Sequence, residues 1–175
     1  MTALAFDRHN HDRCIAGALK RAETHCGARR LQFTATRRRV LEILLQEHRA
    51  MGAYDILAVL SSEGLGSQPP AAYRALDFLV REGLAHRIEG LNAYAACALP
   101  VHGPGHGPEH GQEDASDHGH VPAFLICRGC KAVAETETGL AQGRLGTAAR
   151  EAGFSVERVV VEAEGLCPGC AGAGA

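Results

Sequence analysis

Two cysteine pairs, Cys127-Arg128-Gly129-Cys130 and Cys167-Pro168-Gly169-Cys170, carry the strongest chemical signal in the sequence. Two such knuckles supply four thiolates, the closed tetrahedral set of a structural zinc site with no coordination position left open. The 36 residues between the pairs exceed the spacing of a zinc ribbon, so the knuckles would bracket a folded unit. Thiol–disulfide exchange also uses Cys-x-x-Cys, but redox motifs seldom come doubled, which favours zinc. No His-x-Glu stands ready to activate a metal-bound water, and this argues against a zinc deaminase. The other three of the seven cysteines, Cys14, Cys26 and Cys97, are isolated, and an isolated cysteine reads first as a small buried hydrophobe.

The elements that position these residues follow from periodicity. Ile15, Leu19 and Ala22 predict a helix over Asp12 to Cys26. Thr34 is a good N-cap for a second, with Val40, Leu41, Leu44 and Leu45 on one face. A third begins near Ala53, turns Ile56, Leu57 and Leu60 inward and stops at Gly64. Pro69 and Pro70 open a fourth, with Leu76, Leu79 and Val80 apolar and Gly83 just past its end. The period then changes: Leu84 to Glu89, a Gly90-Leu91-Asn92 turn and Ala93 to Cys97 predict a two-stranded hairpin. Helices followed by a hairpin are the outline of a winged helix-turn-helix, expected over residues 1–98. The fourth helix is then the reader, with Tyr73 and Arg74 near its start; arginine pairs bidentately with guanine. A solvated or phosphate-facing Arg74 is the competing reading. Arg37, Arg38 and Arg39, with Arg29 and Arg30, suit phosphates, which adds affinity without sequence information.

Residues 99–120 read as a hinge and loop: positions 100–120 hold five His, five Gly and four acidic residues and too few apolar side chains for a core. Order is expected to resume in residues 121–175, with strands at Val121 to Cys127, Lys131 to Thr136 and Phe154 to Ala163. A helix from about Leu140 to Ala152 lies between the last two, and Ala171 to Ala175 is expected to lack regular structure. The predicted class is α+β, a winged helix-turn-helix joined to a small zinc-stapled α/β dimerisation domain. Residues 1–97 hold 13 Lys and Arg against 10 Asp and Glu, and residues 98–175 hold 5 against 10. A basic half suits a polyanion partner, although the excess is small. No run of eighteen apolar residues predicts a membrane span, and Met1 to Asn10 lacks the pattern of a signal peptide. A cytoplasmic protein is expected.

The stretches Tyr54-Asp55-Ile56-Leu57, Tyr73-Arg74-Ala75-Leu76-Asp77-Phe78-Leu79, Gly83-Leu84-Ala85-His86 and Asn92-Ala93-Tyr94-Ala95-Ala96-Cys97 resemble the ferric uptake regulator superfamily, and within it the zinc uptake regulator branch. The likeness continues through Phe124 to Cys130 and Gly165 to Cys170, covering about residues 12–170 outside the His-rich loop. It implies a zinc-responsive repressor that binds pseudo-palindromic double-stranded operators as a zinc-loaded homodimer and controls zinc-uptake genes. It implies neither catalysis, nor a small-molecule substrate, nor a membrane partner. Two zinc ions per chain are implied: a structural one on Cys127, Cys130, Cys167 and Cys170, and a regulatory one on His86, Cys97, His120 and Glu135. Tyr54 and Arg74 match residues that reach bases or thymine methyls.

The regulatory set is also physically coherent. His86 and Cys97 bracket the hairpin, whereas His120 and Glu135 belong to the second domain, so a metal held by all four would fix the angle between them. A thiolate among two imidazoles and a carboxylate favours zinc over iron. His118 stands two residues from His120 and could replace it. With His102, His106 and His110, it could also form a weaker third site, because a glycine-rich loop must lose entropy for each ligand it orders. His9, His11, His25 and His48 read as solvated. The chain departs from its relatives at Ala71-Ala72, where Thr-Val is common, and at Ala35, where proline is usual. The first change removes a hydroxyl that could cap the helix or reach a phosphate. The rival readings are a sister sensor for nickel, manganese or iron, a zinc buffer built on the His-rich loop, and a thiol oxidoreductase. Buffering predicts many weak sites and no operator preference; an oxidoreductase predicts a titrating thiolate.

Overall fold

The computed structural model describes residues 11–47, 49–65, 68–97, 121–138, 143–156 and 159–172. Four helices come first: α1 (His11–Ala28), α2 (Ala35–Glu47), α3 (Ala53–Ser62) and α4 (Pro69–Arg81). Thr34 caps α2 as expected, its hydroxyl accepting the Arg37 N–H at 3.3 Å. Prolines fill the first two positions of α4, where a missing N–H costs nothing. Gly83 follows the helix at φ +67°, a left-handed conformation that a side chain would strain. The N-cap of α4 is Gln68, so Ala71 does not occupy a capping position. Ala22, Val40, Leu44, Ile56, Leu60, Leu76 and Leu79 are fully buried and unite the four helices in one core.

The hairpin consists of β1 (Ala85–Ile88), one 3₁₀ turn at Glu89–Leu91 and β2 (Ala93–Ala96). Its register pairs Ala85 with Ala96, His86 with Ala95, Arg87 with Tyr94 and Ile88 with Ala93. Side chains alternate across a strand, so Ala85, Tyr94 and Ala96 face the helical core while His86, Ile88 and Ala95 face the other way. On that second side Ile88 and Ala95 join Phe124, Ile126 and Val133 in another apolar cluster. Both faces of the hairpin are therefore covered.

The three-stranded sheet has the order β4-β3-β5. Strand β3 (Val121–Cys127) pairs antiparallel with β4 (Val133–Thr138) and parallel with β5 (Val161–Gly165). Phe124 lies beside Glu135 on one flank and beside Glu162 on the other, which puts both carboxylates on the sheet face that meets the hairpin. Helix α5 (Arg144–Glu151) connects β4 to β5, and α6 (Pro168–Gly172) follows the last strand. The winged helix and the small α/β unit expected from the sequence are both present.

Several boundaries differ from expectation; β4 runs Val133–Thr138 rather than Lys131 to Thr136. The third strand of this unit begins at Val161 rather than Phe154, which is exposed. Extending it upstream would place it beside Pro122, which has no N–H to donate. Helix α5 starts at Arg144 because Gly143 is extended, with φ −86° and ψ −161°; residues 139–142 lie outside the described residues. Ala171 and Gly172, expected to lack structure, complete α6.

His25, read as solvated, is instead half-buried, with Nε2 3.2 Å from the Glu82 carboxylate. Glu82 is a buried residue at the end of α4, and Arg29, just past α1, donates to it at 2.8 Å. A carboxylate at a helix C-terminus opposes the helix dipole, and the Arg29 guanidinium offsets that cost. Burial pushes the neighbouring Cys26 thiol up, and the Glu82 charge adds to the effect. That is the environment of an inert core cysteine. Glu82→Ala should destabilise the helical unit by about 1–3 kcal/mol, measured by urea denaturation. A loss below about 0.5 kcal/mol would mark the cluster as a surface pair that does not tie α1 to α4.

Candidate metal centres and nucleic-acid interface

Cys127 ends β3, Cys130 follows in the turn to β4, Cys167 follows β5 and Cys170 sits in α6. The parallel register sets Cys127 beside Gly165, so β5 delivers the second knuckle directly onto the first. All four sulfurs lie within 4.8 Å of one another. Cys130 Sγ and Cys167 Sγ are 3.7 Å apart. Ligands about 2.3 Å from a tetrahedral zinc stand about 3.8 Å from each other, whereas disulfide sulfurs stand about 2.0 Å apart. The geometry fits the metal.

Charge in this cluster is unevenly shared. Backbone N–H groups of Cys130 and Cys167 stabilise the Cys127 thiolate and draw its pKa down to about 6, with Gly129 contributing less; the Cys167 N–H reaches its sulfur at 3.3 Å. Cys170 is pushed up to about 12, because hydrogen bonding to Cys167, Cys127 and Cys130 favours its protonated thiol, with burial and the Cys127 charge adding less. A divalent cation removes that imbalance, and a coordinated thiol is deprotonated outright. Packing leaves little slack, since a Cβ on Gly129 would stand 3.1 Å from Cys170 Sγ.

The second cluster lies between the hairpin and the sheet. His86 from β1, Cys97 at the end of β2 and Glu135 from β4 offer ligand atoms all within 4.8 Å of one another. His86 Nε2 is 3.0 Å from Glu135 Oε1, and Cys97 Sγ is 3.9 Å from the same oxygen. The His86 ring packs against Phe124 with centroids 5.0 Å apart. His86 Nε2 is buried and makes no hydrogen bond despite its nearness to the carboxylate. A buried ring nitrogen without a hydrogen-bond partner, set beside a thiol and a carboxylate, is the arrangement of a metal ligand. Sulfur, nitrogen and oxygen donors together suit zinc. His120 lies outside the described residues, as do His102, His106, His110 and His118. No packing role at the metal cluster was expected for Phe124, although its place two residues before Ile126 in an alternating strand is a signal that could have found it.

The helical unit presents Tyr54 of α3 at 74 % exposure and Tyr73 of α4 at 39 %. Arg74 is exposed on α4. The arginine triplet is more engaged. Arg37 lies 3.7 Å from the centroid of the Phe78 ring and donates to the Gln32 carbonyl. Arg38 pairs with Glu23 and Glu42. Arg39 clasps Glu63 with bonds of 2.7 and 2.6 Å and also reaches Glu42. The sequence suited these arginines to phosphates but could not reveal the carboxylates opposite them.

No protein-family model matches the chain. It is 33% identical over 152 residues to the zinc uptake regulation protein of Escherichia coli (strain K12), covering 87% of this chain and 80% of that protein. Among solved structures, a zinc uptake regulator complexed with zinc and DNA superposes with a TM-score of 0.75 at 30% identity, covering 95% of this chain and 98% of that one. The crystal structure of holo XcZur gives a TM-score of 0.70 at 30% identity, with coverage of 88% and 96%. The chain belongs to the zinc uptake regulators, a branch of the ferric uptake regulator superfamily and a family of transcription factors, not enzymes.

Proposed function

We propose that the protein is a zinc-responsive transcriptional repressor that binds pseudo-palindromic operators as a zinc-loaded homodimer and controls zinc-uptake genes. The observation that carries this reading is the gathering of His86, Cys97 and Glu135 from two units into one metal-sized cluster. A metal bound there joins the units and fixes the direction of α4 relative to the sheet. His120 completes the set, with His118 as its substitute. The structural zinc occupies Cys127, Cys130, Cys167 and Cys170, giving about two zinc ions per chain. The structural ion is retained in every state, so sensing falls to the inter-unit site.

Tyr73 and Arg74 on α4, with Tyr54 on α3, form the base-reading surface. Arg37, Arg38 and Arg39 meet phosphates, and the carboxylate partners of Arg38 and Arg39 make their share smaller than that of Arg74. Leu125, Phe154, Val156 and Val160 are exposed on the second unit and support its role in self-association. Such a dimer holds two reading heads for successive major grooves. Among the described residues no helix is long and apolar enough to cross a membrane, and the regulator is proposed to act in the cytoplasm.

Cys127→Ser should lose one zinc per chain, unfold the sheet unit and dissociate the dimer, because structural zinc contributes folding energy directly. Zinc analysis beside size-exclusion chromatography checks this, and a soluble zinc-free dimer would count decisively against it. Arg74→Ala should weaken operator binding by about 1–3 kcal/mol and flatten sequence preference. Gel shifts on specific and random duplexes measure that ratio, and no change in it would remove α4 as the reader. Cys97→Ser should keep the fold, the dimer and one zinc per chain, yet lose zinc-dependent operator binding; His120→Ala should act in the same sense more mildly. A mutant Cys97→Ser protein that responds at the same free zinc as wild type would place the sensing site elsewhere.

A further inference from the structure

The hairpin is also held at its turn, by a carboxylate. Glu162, on β5, accepts the backbone N–H of Glu89 through Oε1 at 2.7 Å and that of Gly90 through Oε2 at 2.9 Å. Hydrogen bonds to an ionised acceptor are shorter and roughly twice as strong as neutral ones. Gly90 permits the approach, since a Cβ there would stand 2.9 Å from Glu162 Oε2 and 3.5 Å from Glu164 Oε1. Glu89 carries its own carboxylate and pairs with Arg87 at 3.3 Å. The Glu89 carboxylate makes this turn a poor contact for phosphate. His86 and Glu89 are three residues apart along the hairpin, about 10 Å. The hairpin is thus gripped near its open end by the metal-type cluster and at its turn by Glu162, both from the same sheet face. Glu162 is not among the metal-type donors.

We propose that Glu162 is a metal-independent latch between the two units: by clasping the hairpin turn it sets how much of the protein is closed before the inter-unit zinc binds, and so the zinc concentration at which the switch operates. The proposal rests on the function proposed above. A ligand that binds a fractionally populated state has its apparent affinity reduced by that fraction. Breaking the latch therefore weakens zinc binding without removing a ligand.

The test uses the full chain with the structural site loaded, the variants Glu162→Ala, Glu162→Gln and Gly90→Ala, and zinc binding to the second site measured by competition with a chromophoric chelator. Glu162→Ala and Gly90→Ala should each weaken that zinc by roughly tenfold, and the double variant should be no weaker than either, because both break the same contact. Glu162→Gln, which keeps one carbonyl oxygen, should fall between Glu162→Ala and wild type. Amide hydrogen exchange at Glu89 and Gly90 should accelerate while structural zinc content stays unchanged. Affinity within about twofold of wild type in both single variants overturns the latch, as do fully additive effects in the double variant. Wild type that takes up the second zinc without gaining DNA affinity sinks the proposed function and leaves the latch to be judged by its own shift. Wild type that takes up no second zinc overturns both.

Discussion

A two-stranded hairpin with strands of four residues has too little surface of its own to be stable in water. Here it persists because it is covered on both faces, and nearly everything else in the molecule depends on that. One face, through Ala85 and Tyr94, closes the helical core. The other, through Ile88 and Ala95, meets Phe124, Ile126 and Val133 of the sheet. A slip of one residue in the pairing would exchange the faces. His86 would turn into the helical core, away from Glu135, and the inter-unit cluster would disappear. The apolar partners on either side therefore fix the register that puts an imidazole beside a carboxylate.

The two metal-type clusters differ in the kind of support they have. The four sulfurs are placed by the sheet: the β3–β5 register brings the knuckles together, and backbone amides already favour a thiolate at Cys127. His86, Cys97 and Glu135 are brought together only when hairpin and sheet are docked. The cysteine knuckle adds to that docking, because the Ala50 N–H donates to the Lys131 carbonyl at 3.3 Å just beyond α2. The helical unit therefore rests on the sheet unit at the first knuckle, at the apolar cluster and at the hairpin turn. A bridging metal would act on a joint that the protein has already shaped.

How far the sequence revealed this depended on whether a feature was local. The start of α2, the prolines of α4, Gly83 and the hairpin are set by neighbouring residues, and each is found where its pattern put it. The doubled Cys-x-x-Cys announced a cluster because the ligand types and spacing are themselves the signal. The remainder was long-range. Nothing near Val161 foretold parallel pairing with β3, and the truncation of that strand follows from a proline on its partner. His25 looked solvated because Glu82 lies 57 residues away. Arg38 and Arg39 looked free for phosphate because Glu23 of α1 and Glu63, just past α3, are distant in the chain. Glu162 carried no signal of its own, because the backbone amides that hold it leave no mark in a sequence.

The apolar face between hairpin and sheet has a thermal consequence. Any motion that separates the two units must expose Ile88, Ala95, Phe124, Ile126 and Val133 to water. Exposure of such surface raises the heat capacity, and its burial lowers it. Binding of a metal that draws the units together would then show an enthalpy that becomes more favourable as temperature rises, while binding to four cysteines of an already folded sheet would not. The attraction between the faces also weakens on cooling. A switch built on this joint would need more metal in the cold, which makes the hydrophobic seam a thermometer for a response otherwise set by coordination chemistry.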